Sequence, residues 1–165
     1  MKTLYLNRHA KSSWDSTSLS DFDRPLNKRG ERDAPLMGNV LSKLVQAPQT
    51  IYSSPANRAI TTAKIIAAAF NYEINNIIED QKIYEAGVSD LMKIINNTSD
   101  NYDTIMLFGH NPTFTTISNY LSDKYIDNLP TSGFVKIDFP LNSWKDIEGE
   151  TGNFILFEYP KKHLK

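Results

Sequence analysis

Apolar and polar positions alternate between two spacings along most of this chain. Leu4-Tyr5-Leu6 is a short apolar run that stops at Asn7-Arg8-His9, and it reads as a strand. After a polar stretch from Lys11 to Arg24, Ala34, Met37, Val40, Leu41 and Leu44 recur at helical spacing. Asn27 is placed to cap that helix, and Pro35 predicts a kink or a late start in it. Thr50-Ile51-Tyr52-Ser53 is a second strand. Ser54 and Pro55 then suit the cap and first turn of a helix whose buried stripe is Ile60, Ala63, Ala67 and Phe70. Residues 74–84 read as a third extended stretch, ending at Glu85-Ala86-Gly87. Val88, Leu91, Met92 and Ile95 form another amphipathic stripe.

The cleanest strand is Ile105-Met106-Leu107-Phe108, a continuous apolar run of the kind buried on both faces of a sheet. It ends at Gly109-His110-Asn111-Pro112. Asn111 and Pro112 suit the start of a helix carrying Phe114, Ile117 and Leu121. The last third changes character. Val135, Ile137 and Phe139 alternate, and 154–159 is a second such run with no helix between. These predict added antiparallel edge strands. The pattern as a whole predicts one domain over residues 1–165. Its class is α/β: a three-layer α/β/α sandwich with a mostly parallel sheet.

Composition narrows the function. The 165 residues carry a net charge of -1, which offers no field toward nucleic acid or an acidic membrane. There is no cysteine, hence no disulfide, thiol nucleophile or thiolate zinc site. No apolar run approaches membrane-spanning length and no basic-then-apolar leader opens the chain. A cytoplasmic address is the expectation by default.

Ligands of open α/β sheets bind beyond the carboxyl ends of the strands. Arg8 and His9 follow strand one, Arg58 follows strand two, and His110 follows the most buried strand. Taken singly, Arg8-His9 could be an interfacial pair and Arg58 a solvated surface residue. Together, two arginines and two histidines suit a tetrahedral dianion, because guanidinium forks match phosphate oxygens. Two histidines could also ligate a metal. No carboxylate or cysteine stands at ligand spacing beside either, so no metal and no other cofactor is expected.

Three motifs in this order, Arg8-His9-Ala10, Ser54-Pro55-Ala56-Asn57-Arg58 and Gly109-His110, resemble the histidine phosphatase superfamily, the phosphoglycerate-mutase-like enzymes. The stretches from Arg8 to Trp14 and from Asp23 to Gly30 further resemble the small SixA-type phosphohistidine phosphatases. The resemblance implies a phosphoglycerate-mutase-like fold and a metal-independent phosphatase. In it His9 attacks phosphorus, Arg8 and Arg58 hold the phosphoryl oxygens, and His110 supplies another donor. The family's acid–base carboxylate maps to Glu85, for which the alternative is an ordinary loop carboxylate. Ser12 and Arg24 line the pocket or serve the structure.

Two departures stand out. Ala10 replaces the family's usual glycine, so the turn is expected to differ slightly. Asp15 stands where the mutases have a phosphate-contacting asparagine. Residues 70–85 leave little room for a lid, which favours protein phosphohistidine as substrate. The alternatives are a small phosphate ester, or a non-catalytic phosphate-binding module.

Overall fold

The computed structural model describes residues 1–164. Six strands form one sheet: β1 (Lys2–Arg8), β2 (Thr50–Ser53), β3 (Ile78–Glu79), β4 (Thr104–Gly109), β5 (Phe134–Phe139) and β6 (Asn153–Glu158). Their spatial order is β3-β2-β4-β1-β5-β6. The first four are parallel, and β5 and β6 join antiparallel at one edge. The helices are α1 (Lys28–Leu44), α2 (Asn57–Ala69), the single turn α3 (Gln81–Tyr84), α4 (Val88–Asn96) and α5 (Thr113–Leu121). None among the described residues is long and apolar enough to cross a membrane.

Strand periodicity sorts the core into two layers. Leu4, Leu6, Ile105 and Leu107 point to one face and pack with Leu91, Ile95, Phe114, Ile117 and Leu121 of α4 and α5. Tyr5, Met106, Phe108 and Ile51 point to the other and pack with Met37, Leu41, Ala63 and Ile66 of α1 and α2. The result is the expected α/β/α sandwich, closed by burial of apolar area on both faces of the sheet.

Three local expectations need correction. Helix α1 runs without interruption through Pro35 and starts directly after Asn27, whose side chain accepts the Gly30 N–H at 2.9 Å. Pro35 deprives the Glu31 carbonyl of its helical donor, but both residues are exposed, so water can serve that oxygen. Helix α2 begins at Asn57, later than the Ser54 cap predicts. The Ser54 hydroxyl accepts the Ala56 N–H at 3.2 Å and is also bonded to a histidine. The third extended stretch is mostly not strand. It holds a 3-10 turn at Ile74–Asn76, the two-residue β3 and α3, which Asp80 caps through the Lys82 N–H at 2.9 Å.

Candidate active site

Strand register brings the chemistry together. Arg8, the last residue of β1, pairs with Gly109, the last of β4. His9 and His110 therefore leave the sheet side by side, with ring centroids 5.1 Å apart. The His9 N–H donates to the Gly109 carbonyl at 3.0 Å. On the other side of β4, the Ser54 N–H donates to Phe108 O at 3.0 Å, which carries the chain into α2 and sets Arg58 in its first turn. Thr62 ties α2 to the loop after β1. It accepts the Ala10 N–H at 3.0 Å and donates to Arg58 O at 2.7 Å. Ala10 is fully buried and has no positive φ, so the turn after His9 accepts a Cβ.

These elements enclose a cavity of about 240 Å³ lined by Arg8, His9, Lys11, Ser12, Trp14, Arg24, Arg58, His110, Asn111 and Thr131. Arg8, His9, Arg58, His110, Ser12 and Arg24 are thus brought together as the motifs predict. Glu85 is not. It sits at an exposed position just after α3, outside this lining. Asp15 is exposed in the loop beyond Trp14.

The two histidines are held in defined forms. The His9 Nδ1 lies 2.7 Å from the Ala10 carbonyl. A carbonyl can only accept, so Nδ1 carries the proton and the lone pair is on Nε2. The His110 Nε2 lies 2.8 Å from the Ser54 hydroxyl, which already accepts from Ala56. With the serine donating, the neutral His110 ring carries its proton on Nδ1. Burial, helped by the neighbouring His110, Arg58 and Arg8 and opposed by the hydrogen bond to Ala10, pushes His9 down to about 3. Burial and Arg58 push His110 down to about 4. Both rings are neutral at physiological pH.

Arg8 donates to the Leu129 carbonyl at 3.0 Å. Arg24 donates to the Ser12 hydroxyl at 2.6 Å and stacks its guanidinium 3.5 Å from the centre of the Trp14 ring. The buried Nε atoms of Arg8 and Arg58 and the His110 Nδ1 have no partner in the protein. Buried donors are almost always satisfied, and these three belong to residues lining the same cavity, whose positive charge fits them to an anion. Among the described residues no group of three histidines or carboxylates could hold a metal, and three arginines would repel a cation from this cavity.

The sequence reading missed several contributors. Asp21 accepts from Arg24 at 3.0 and 3.1 Å through one oxygen. Its other oxygen accepts from Arg58 at 3.1 Å and from the Tyr84 hydroxyl at 2.7 Å. Tyr84 also packs edge-on against His110. Lys11, Asn111 and Thr131 complete the walls.

The histidine phosphatase superfamily (branch 1) model matches residues 4–104. The chain belongs to the histidine phosphatase superfamily. His110 lies beyond the matched residues, and it is the β1–β4 register that sets it against His9. The chain is 36% identical over 153 residues to an uncharacterised chloroplastic protein of Arabidopsis thaliana, covering 88% of this chain and 70% of the relative. A crystal structure from Agrobacterium tumefaciens assigned as the phosphohistidine phosphatase SixA superposes with a TM-score of 0.79. It shares 26% identity and covers 96% of this chain and 98% of its own. A stretch of 87 residues is 37% identical to phosphoserine phosphatase 1 of Hydrogenobacter thermophilus, over 52% of this chain and 39% of that protein. This histidine phosphatase is accordingly a hydrolase of phosphoryl groups with a catalytic histidine.

The depressed histidines give a measurable signature. Ring signals of His9 and His110 in NMR titrations should show no inflection between pH 8 and 5, against an ordinary midpoint near 6.5. A midpoint near 6.5 for either ring would contradict the burial described. Because both folded values lie below the unfolded one, the unfolded chain binds protons that the folded chain refuses. Stability from these groups is complete above about 6.5 and is lost as pH falls toward about 3–4.

Proposed function

We propose that this histidine phosphatase hydrolyses phosphohistidine on proteins without a metal, through a phosphohistidine intermediate on His9. The observation that carries the reading is the cavity wall. It holds an imidazole with a free Nε2 lone pair and several cationic or N–H donors, and among the described residues it holds no carboxyl group.

The chemistry balances without an added acid. A substrate phosphohistidine whose second ring nitrogen is protonated leaves as neutral imidazole when His9 Nε2 attacks phosphorus. The bond from phosphorus to His9 forms and the bond to the substrate ring breaks. Phospho-His9 retains its proton on Nδ1, hydrogen-bonded to Ala10 O. Water then attacks phosphorus, His9 departs as neutral imidazole, and both water protons end on the product, dihydrogen phosphate. Arg8, Arg58 and His110 supply donors to oxygens whose charge must be stabilised in the transition state. An alkyl phosphate, by contrast, leaves as an alkoxide and needs a positioned acid, worth about 10²–10⁴-fold. Glu85 is the resemblance's candidate for that role, and its exposed position outside the lining supports the reading that this site does without it.

Access supports the same substrate. Between α2 and α3 the chain makes only a 3-10 turn and a two-residue strand, so no helical insertion from that segment covers the cavity. A phosphorylated side chain on a protein surface can reach it.

The test compares kcat/KM for a phosphohistidine-bearing protein with that for small alkyl phosphates, phosphoserine included. The phosphohistidine should be preferred, and Glu85→Gln should change its hydrolysis less than about threefold, far short of the loss expected for removing a working acid. A preference for phosphoserine, abolished by Glu85→Gln, would replace this reading with a small-molecule phosphomonoesterase.

A further inference from the structure

Asp21 bridges two of the arginines that line the cavity, Arg24 and Arg58, from just outside the lining. It belongs to the 3-10 turn Asp21–Asp23, in the polar segment between β1 and α1. Its backbone carbonyl accepts from Arg58 Nη1 at 2.7 Å while its carboxylate accepts from Arg58 Nη2 at 3.1 Å. The same carboxylate takes two donors from Arg24 and one from the Tyr84 hydroxyl of α3. Phe22 closes the contact edge-on against the Tyr84 ring. Among the described residues it is the one carboxylate hydrogen-bonded to these arginines. Its side chain is 48% exposed, so the carboxylate is open to solvent beside the arginines that hold it.

Asp21 engages Arg58 through the two terminal nitrogens and leaves the buried Nε unpartnered. The arginine therefore keeps a donor for phosphate while the carboxylate stays in place. Burial raises the Asp21 carboxyl, but hydrogen bonds from Tyr84 and Arg24 and the charge of Arg58 outweigh this and hold it down at about 2. It is a fixed negative charge and carries no proton to give.

We propose that Asp21 determines specificity by charge: against the positive field of the arginines, it shifts selection toward phosphoryl donors that carry a positive charge beside the scissile bond when bound, and away from those that bear a second anion there. The proposal rests on the phosphatase activity assigned above and deepens its substrate class. A protonated phosphohistidine ring presents a positive charge there. Phosphorylated acids with a carboxylate or second phosphate beside the ester present a negative one. The Asp21 charge distinguishes them by Coulomb energy, while the phosphoryl group itself meets the same arginines in both.

The experiment uses aryl phosphates that differ only in the para substituent: aminomethyl (cationic), methyl (neutral) and carboxylate (anionic). The readout is the ratio of kcat/KM for the cationic over the anionic ester, measured on one enzyme preparation. Any loss of folded protein cancels in that ratio. Asp21→Asn should lower it roughly tenfold, the size expected of one unit charge at about 8 Å in partly wet surroundings. Asp21→Glu, which restores the charge, should recover most of it. Added salt should narrow the difference between the wild-type and Asp21→Asn ratios, because the carboxylate is half exposed. A ratio equal in wild type and Asp21→Asn, with both active, overturns the proposal and leaves the phosphohistidine reading standing. A tenfold drop in an enzyme that prefers phosphoserine to phosphohistidine supports the charge selection and sinks that reading. Absence of turnover with every donor overturns both.

Discussion

Replacing His9 by alanine should reduce turnover of every phosphoryl donor by at least about 10⁴-fold, the scale seen when an enzyme loses its nucleophile. The expectation follows from the ring's setting. Its Nδ1 proton is fixed on the Ala10 carbonyl 2.7 Å away, its lone pair is on Nε2, and the side chain lines the cavity where Arg8, Arg58 and His110 converge. The His110 ring cannot substitute, because its Nε2 is engaged by the Ser54 hydroxyl at 2.8 Å. The loss should fall on kcat, since the arginines that bind phosphate remain. It is checked by steady-state kinetics beside a tungstate inhibition constant, which should change little for His9→Ala. A residual rate within tenfold of wild type would remove His9 from the mechanism.

Arg58→Ala should cost about 10²–10³-fold in kcat/KM for phosphohistidine and for aryl phosphates alike, the range for removing one preorganised donor to a transition-state oxyanion. Arg58 is only 6% exposed, and Asp21 holds it from just outside the lining. The substitution removes a donor and also leaves Asp21 without one of its two arginines. That carboxylate then stands closer to unpaired beside an incoming dianion. Tungstate inhibition should weaken in parallel with activity, in contrast to the His9 variant. Equal inhibition by tungstate in Arg58→Ala and wild type would show that Arg58 does not hold the phosphoryl group.

How far this site can be read from sequence depends on the range of the contacts. Strands β1, β4 and β5 are legible because their alternation or continuous apolarity is a local property, and burial on one or both faces enforces it. β3 is not, since its two residues Ile78 and Glu79 are both exposed and carry no pattern. α3 is four residues long, too short for a helical period to show. Pro35 misleads because its cost falls on the solvent side of α1, where water can repay it. Arg8, His9, Arg58 and His110 are legible through their positions just after strands. The register that puts them in one cavity is visible only once Arg8 is known to pair with Gly109.

Asp21 escaped notice for a physical reason. Its partners Arg58 and Tyr84 lie 37 and 63 residues away, and its segment is a polar loop in which one aspartate looks like another. Ser54 has the sequence setting of a helix cap. It does accept a backbone N–H, yet its hydroxyl also faces His110, and nothing local distinguishes the two duties. Arg24 and Ser12 came only from the family resemblance. Their 2.6 Å hydrogen bond ties the two stretches that carried it.

The proposed mechanism turns on where the phosphoryl group rests between its two transfers. The direct measurement is rapid mixing of the enzyme with a radiolabelled phosphohistidine protein, quenching in denaturant within the first turnover, and mapping of the label. Label should appear on the peptide containing His9, lost in mild acid and stable in alkali as a phosphohistidine must be, and should be absent from His9→Ala. Label on any other residue, or single-turnover hydrolysis with no labelled enzyme at any time, would contradict it.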